Sequence, residues 1–292
     1  MSALIWTLIF LTIAVPAMAH GDDDHAATLS WTFDPWILLP IAVMGMLYVA
    51  GRIRLSRRLQ RTGCMRPQDL FFCGGMLTLA GALISPLHWL GEHLFTFHMI
   101  EHEIVMAVSA PLIVLARPAG LLLWGLPKRA RRGLGAAMRT PLIRRSWDWS
   151  TGATSATVIH GVAIWGWHLP FLFDAAVTNT AMHRLQHLSF FATAVLFWWA
   201  VVWKSDYGAA AWHMFLTMLH TSILGALMAL APRVLYIAQT QTASAWGLTP
   251  LEDQQLAGMI MWVPAGAIYA ASAMTMLALW IRNSSGRGTQ NV

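Results

Sequence analysis

The sequence predicts an all-α fold, a polytopic membrane helix bundle with seven transmembrane helices behind a cleavable signal peptide. Three observations predict it. Of the 292 residues, 57% are hydrophobic and only 11% are charged, less than half the roughly 25% charge of an ordinary soluble domain. The apolar residues gather into seven runs long enough to span a hydrocarbon core, where a helix satisfies its own backbone hydrogen bonds. The cations fall almost entirely in alternate loops, which is the pattern that orients membrane proteins.

Residues 1–19 read as the signal peptide. Leu4 to Val15 is a short apolar core, Pro16 ends it, and Ala17-Met18-Ala19 is a small-residue cleavage site. No Lys or Arg precedes that core; left uncleaved, Met1 to Val15 is instead a short extra anchor. Residues 20–34 form an acidic periplasmic segment with His20 and His25. The membrane domain, 35–281, then holds helix one from Pro35 to Gly51, helix two from Asp69 to Leu87 and helix three from His98 to Ala116. Helix four runs from Gly152 to His168, helix five from Gln186 to Val202, helix six from Ala211 to Leu230 and helix seven from Leu256 to Trp280. Pro118 to Pro127 is too short to cross and reads as an interfacial extension, and 282–292 is a cytoplasmic tail.

Orientation follows from the nineteen Lys and Arg residues. The loop after helix one carries Arg52, Arg54, Arg57, Arg58, Arg61 and Arg66. The loop after helix three carries eight more, from Arg117 to Arg145, and Lys204, Arg282 and Arg287 fall on the same side. Only Arg184 and Arg233 lie opposite. The mature N-terminus is therefore expected in the periplasm and the C-terminus in the cytoplasm, across a bacterial inner membrane. The net charge of +6 is a topology signal: the partner it serves is the lipid bilayer, and no nucleic acid is expected. Cys64 and Cys73 fall on the cytoplasmic side, form no CxxC pair and are expected as free thiols.

Chemistry concentrates in two short stretches. In His98-Met99-Ile100-Glu101-His102 the two histidines are four apart, on one helical face with Glu101 beside them. His183-Arg184-Leu185-Gln186-His187 has the same form, and both stretches lead straight into apolar runs. His88 and His168 end the helices that come before them, which makes an internal repeat: His88 then His98 and His102, His168 then His183 and His187. If the two hairpins pack face to face, four to six imidazoles meet at one level. Ionisable groups at membrane depth are costly and face a partner or a cavity, and neutral imidazole is the commonest metal ligand. Glu101 and Gln186 are expected beside the ligands, where a carboxylate can orient an imidazole by accepting its hydrogen bond. Interfacial histidines bonded to water and headgroups are the plain alternative; the repeated spacing argues against it.

No thiolate falls on that side, which disfavours zinc–cysteine and iron–sulfur sites. Imidazole suits copper, and a thioether beside it suits Cu(I) above all; Met259 and Met261, at the outer end of helix seven, are weaker candidates. Cleavage after Ala19 gives His20 a free amine, which with its imidazole and His25 makes a further weak candidate.

Four stretches are similar to a known family. His98 to Pro118 (HMIEHEIVMAVSAPLIVLARP), Trp165 to Asp174 (WGWHLPFLFD), the run from His183 to Trp199 and Gly258 to Pro264 (GMIMWVP) resemble the CtaG-type cytochrome c oxidase assembly factors. The resemblance covers nearly all of the chain from helix one to helix seven. It implies a seven-helix bundle, not an enzyme, that helps haem-copper oxidases form, with copper as cargo. The partners it implies are oxidase subunits or other copper chaperones. His98, His102, His168, His183 and His187 match the family's recurring histidines. The single Pro111 after Ala110 departs from the paired prolines of many relatives.

Three other readings stand beside it. A haem-binding oxidoreductase takes one axial histidine from each of two helices, which leaves one member of each pair unused, and no CxxCH occurs. H-x-x-E-H is also the inverted zinc-protease motif with Glu101 as base; the second copy has Gln186 there, so the repeat keeps the ligands and not the base. A copper or proton transporter would use His160 and His220, near mid-membrane.

Overall fold

The computed structural model describes residues 29–59 and 65–288. The expected signal peptide, His20, His25 and Cys64 lie outside the described residues. In chain order the helices are α1 (Pro35–Leu59), α2 (Pro67–Leu83), α3 (Pro86–His93), α4 (Phe95–Leu115), α5 (Ala119–Gly125) and α6 (Lys128–Ala137). They continue as α7 (Pro141–Ser150), α8 (Ala153–Trp167), α9 (Pro170–Thr178), α10 (Thr180–Lys204), α11 (Tyr207–Ala229) and α12 (Pro250–Gly288). Among the described residues there is no strand.

Five helices, α1, α4, α10, α11 and α12, are long and apolar enough to cross a membrane; the bent pairs α2–α3 and α8–α9 make seven if each is one span. Proline sets the bends. It has no N–H to give and disfavours helix at the residue before it. α3 leaves α2 at 43° at Ser85-Pro86, and α9 leaves α8 at 73° at Leu169-Pro170. Ser85 closes the first turn of α3 by accepting from the Leu87 N–H at 3.2 Å.

Five spans start earlier than hydropathy indicates, among them α11 at Tyr207 rather than Ala211 and α12 at Pro250 rather than Leu256. α4 begins at Phe95 rather than His98 and α10 at Thr180 rather than Gln186. In α10 the cause is local: the Asn179 side chain accepts from the N–H groups of Ala181 (2.9 Å) and Met182 (3.1 Å), a standard way to satisfy a helix start. His183 and His187 are thereby both inside the helix, on one face.

Midway, α4 widens into a π-helical turn over Ile104–Ser109. Pro111 follows; it cannot bond the Ala107 carbonyl and its ring crowds that turn. The wider turn gives the ring room, and Trp198 Nε1 donates to the Met106 carbonyl at 2.9 Å.

The main core lies among α4, α9, α10, α11 and α12, filled by Phe95, Met99, Phe173, Phe190, Phe197, Met214 and Tyr269. α11 and α12 touch backbone to backbone. A Cβ on Gly258 would sit 2.5 Å from the Ala229 nitrogen, and one on Gly225 2.7 Å from that of Trp262; small residues allow such contacts in membrane bundles. α1 keeps Leu39, Met46 and Val49 exposed along its outer face, and α6 and α7 bury no residue at all.

The chain order places the end of α3, the start of α4, the end of α8 and the start of α10 at one end of the bundle. The loop 230–249 and the start of α12 join them. This is the histidine end. The arginine-rich connections lie at the other.

Candidate metal centre

The helix that carries His98 and His102 is held from a distance. Asp253, fully buried in the first turn of α12, accepts from the N–H groups of Phe95 (2.8 Å) and Thr96 (2.9 Å) and from the Thr96 hydroxyl (2.7 Å). A helix start offers unpaired N–H groups and a partial positive charge, and a carboxylate satisfies both. Phe95 behind it is buried against Phe173 and Tyr236, ring centroids 5.0 Å away in each case.

The loop 230–249 covers the same end. Gln239 Nε2 donates to the Gly91 carbonyl at 2.8 Å, and the Tyr236 hydroxyl donates to the His168 carbonyl at 2.7 Å. Burial, with the nearby Asp174 carboxylate adding to it, pushes the Tyr236 hydroxyl up to about 12. It therefore remains a donor at neutral pH. Gln254 Oε1 in turn accepts from the Leu235 N–H at 2.6 Å. On the other flank Arg184 pairs with Asp34 at 2.8 Å, tying the start of α10 to the approach to α1.

Inside this frame the histidines meet. His88 Nδ1 is hydrogen-bonded to Glu101 Oε1 at 2.7 Å, and His187 Nε2 lies 3.6 Å from the same oxygen. His183 and His187 share a hydrogen bond between their Nε2 atoms at 2.8 Å. Ring centroids are 4.2 Å apart for His98 and His102, 5.0 Å for His102 and His187, and 5.5 Å for His98 and His183. The ligand atoms of His88, Glu101 and His187 all lie within 4.8 Å of one another. Glu101 thus lies against two of these imidazoles at once.

His168 borders the cluster from α8. Its Nδ1 bonds the Ile164 carbonyl at 2.7 Å, and its ring shares two neighbours, Phe173 and Phe190, with His98 and His102. Gln186 is fully buried on α10 beside His187.

Many polar atoms here have no partner. His98 Nε2, both nitrogens of His102, His168 Nε2, His187 Nδ1, Glu101 Oε2 and both amide atoms of Gln186 are buried without a hydrogen-bond partner among the described residues. One such atom costs about 1–3 kcal/mol, and native folds keep few of them. So many in one place is unusual for a folded protein. The donor set would suit a cation, which imidazole lone pairs could hold.

The family described as cytochrome c oxidase caa3 assembly factor matches residues 46–283. The chain belongs to this assembly-factor family. The matched stretch holds the whole histidine cluster. A protein of Mycobacterium leprae (strain TN), described as uncharacterised, is 24% identical over 266 residues, 86% of this chain. The chain spans 40% of that relative's length. No solved structure matches.

Other expected candidates of this family member fall elsewhere. Met261 is buried in the apolar core, whereas Met259 is 51% exposed on the outside of α12. His160 bonds the Thr193 hydroxyl at 3.0 Å, and His220 Nδ1 accepts from Trp165 Nε1 at 3.4 Å, deeper along α8 and α11. Asp253, Tyr236, Gln239 and Gly91 were not singled out by sequence reasoning. Asp253 stands in an ordinary acidic first turn, and nothing local marks its partners, 157 and 158 residues away.

Proposed function

We propose that this assembly factor is a non-catalytic copper carrier. It holds copper at His98, His102, His183, His187, His168 and His88, with Glu101 and Gln186 beside them, and assists its delivery to a haem-copper cytochrome c oxidase. The partners are oxidase subunits or other copper chaperones, and the site opens on the periplasmic side of a bacterial inner membrane.

The observation that carries the reading is the set of buried imidazole nitrogens, without a partner among the described residues, gathered around one buried carboxylate. The donor chemistry fits: imidazole nitrogens suit copper, and neutral rings can enter a membrane bundle at far less cost than charged ones. Metal analysis of the purified protein, wild type beside the His98→Ala, His102→Ala double variant, tests it. The wild type is expected to carry copper and the double variant less, with reduced oxidase activity in cells. A double variant with wild-type copper and full oxidase activity overturns the reading.

A second reading, a copper or proton transporter, draws on His160 and His220, whose Nε2 atoms are buried and without a hydrogen-bond partner among the described residues. Flux into proteoliposomes that disappears in His160→Ala and in His220→Ala favours it. Wild-type vesicles without flux dismiss it.

A further inference from the structure

The arginine-rich end holds two helices that the rest of the described residues leave uncovered. α6 and α7 bury no residue, yet each has an apolar side and a cationic side. On α6, Leu134 and Met138 are four apart and share a face. Lys128 and Arg132, also four apart, fall on the other side. On α7, Leu142, Ile143, Trp147 and Trp149 make a broad apolar face, with Arg144, Arg145 and Asp148 opposite. All six of these apolar side chains are exposed, Leu142 at 78% and Trp149 at 65%. Five of them, all but Leu134, line one open groove of about 770 Å³, with Arg145 in its wall.

Both ends of this segment are fixed to the spans. Arg54 of α1 donates to the carbonyls of Trp124, Gly125 and Leu126 at 3.1, 2.7 and 3.0 Å. The Trp124 ring then carries the guanidinium of Arg131, on α6, at 4.2 Å and that of Arg58 at 5.2 Å, an attraction of cation for ring face. At the other end Lys204 donates to the Thr151 hydroxyl at 2.6 Å and pairs with Asp148 at 3.5 Å. Trp149 is four residues before Ala153, where α8 begins. The two helices are therefore held at the level where spans end.

We propose that α6 and α7 lie on the bilayer surface and bind anionic phospholipid. Their apolar faces sit among the acyl chains and their cations meet the phosphates. Exposed apolar patches rimmed by polar residues mark interaction sites, and helices with Trp and Leu opposite Lys and Arg are the kind that settle at a lipid interface. Charge selects the lipid. From 128 to 150 every charged side chain except Asp148 is a cation, and Asp148 is already paired with Lys204. Basic segments beside a membrane gain from anionic headgroups. A second copy on this face would bring like charges together. Trp147 and Trp149, next to the start of α8, suit the headgroup level.

The test puts a nitroxide spin label on the full chain in nanodiscs, with Cys64→Ser and Cys73→Ser as the background. Ser146→Cys places the label in the groove, and Arg132→Cys places it on the cationic side of α6. In nanodiscs of phosphatidylcholine with phosphatidylglycerol, the label at 146 is expected to be open to oxygen and closed to a water-soluble nickel complex. The label at 132 is expected to stay open to nickel. In phosphatidylcholine alone, or with Arg144→Gln and Arg145→Gln added, nickel access at 146 is expected to rise. Equal nickel access at the two positions in anionic nanodiscs overturns the docking and leaves the face to a protein partner. The same low access at 146 in both lipids overturns the anionic preference. The comparison of lipids with both arginines in place decides alone, so the outcome does not depend on how well the arginine variant folds.

Discussion

His88 and Glu101 are thirteen residues apart on different helices, yet Nδ1 of one and Oε1 of the other are 2.7 Å apart. The bond spans the tight turn between α3 and α4, so the shape of that turn and the geometry of the donors are one problem. Glu101 is fully buried and its second oxygen has no partner among the described residues.

Replacing this carboxylate while keeping its shape isolates the charge. Glu101→Gln is expected to weaken metal affinity by about 10–100-fold, the usual cost of losing a group bonded to a ligating imidazole. Glu92→Gln, at the exposed rim 3.9 Å from His88 Nε2, should change it little. Competition titrations with a chromogenic chelator measure both. Equal losses in the two variants would mean that Glu101 acts only as general surface charge.

The turn itself depends on Gly91. A Cβ there would lie 2.9 Å from Glu101 Oε2 and 3.3 Å from the His98 Cα. Glu101 is pinned by His88, so neither neighbour can retreat cheaply. Gly91→Ala is expected to lower metal affinity at least about tenfold, in line with displaced groups around ligands. Gly166→Ala, with nothing within 4 Å of the added carbon, is the matched control. Wild-type affinity in Gly91→Ala would separate the turn from the site.

Asp253→Ala removes three acceptor contacts from the start of α4. One buried and one half-buried N–H group lose their partner, so the variant should unfold more easily by about 2–4 kcal/mol, summed from capping and unpaired-donor costs. Asp253→Asn, which keeps one acceptor oxygen, should lose less. Thermal unfolding in detergent ranks the three proteins. If both variants matched the wild type, the carboxylate would have no part in holding the helix.

The Tyr236 bond to the His168 carbonyl gives a pH signature. Its hydroxyl titrates higher in the folded protein, at about 12, than the ordinary 10.0. Its contribution is therefore whole below pH ~10 and fades as the pH climbs toward the folded value. Tyr236→Phe should cost about 1 kcal/mol, constant from neutral pH up to ~10. Unfolding curves for the two proteins that converge near neutral pH would show that this hydroxyl is not what holds the loop.

How much of this is legible in the chain depends on whether the cause is local. Apolar runs and the arginine bias locate the spans because both act over one stretch of sequence. The pairing of His98 with His102 and of His183 with His187 is legible because helical periodicity fixes it without any knowledge of neighbours. Asn179 is a capping residue type, so the early start of α10 was readable in principle; its hydropathy hides it. The start of α4 was not readable, since its cap comes from Asp253 across the bundle. Tyr236 and Gln239 belong to a stretch that reads as plain loop, and their contacts exist only once α3, α8 and α12 are assembled. Glu101 was found by its position in the motif, but its closeness to two imidazoles depends on the bend at Pro86.

The clamp on Phe95 and Thr96 has a mechanical side. Asp253 belongs to α12, a continuous helix of 39 residues, which makes a rod about 58 Å long. One end of the rod grips the amides beside His98; the other projects from the opposite end of the bundle. The same backbone therefore carries both the clamp beside His98 and the turns at the arginine-rich end, so the two ends of the bundle share one helix.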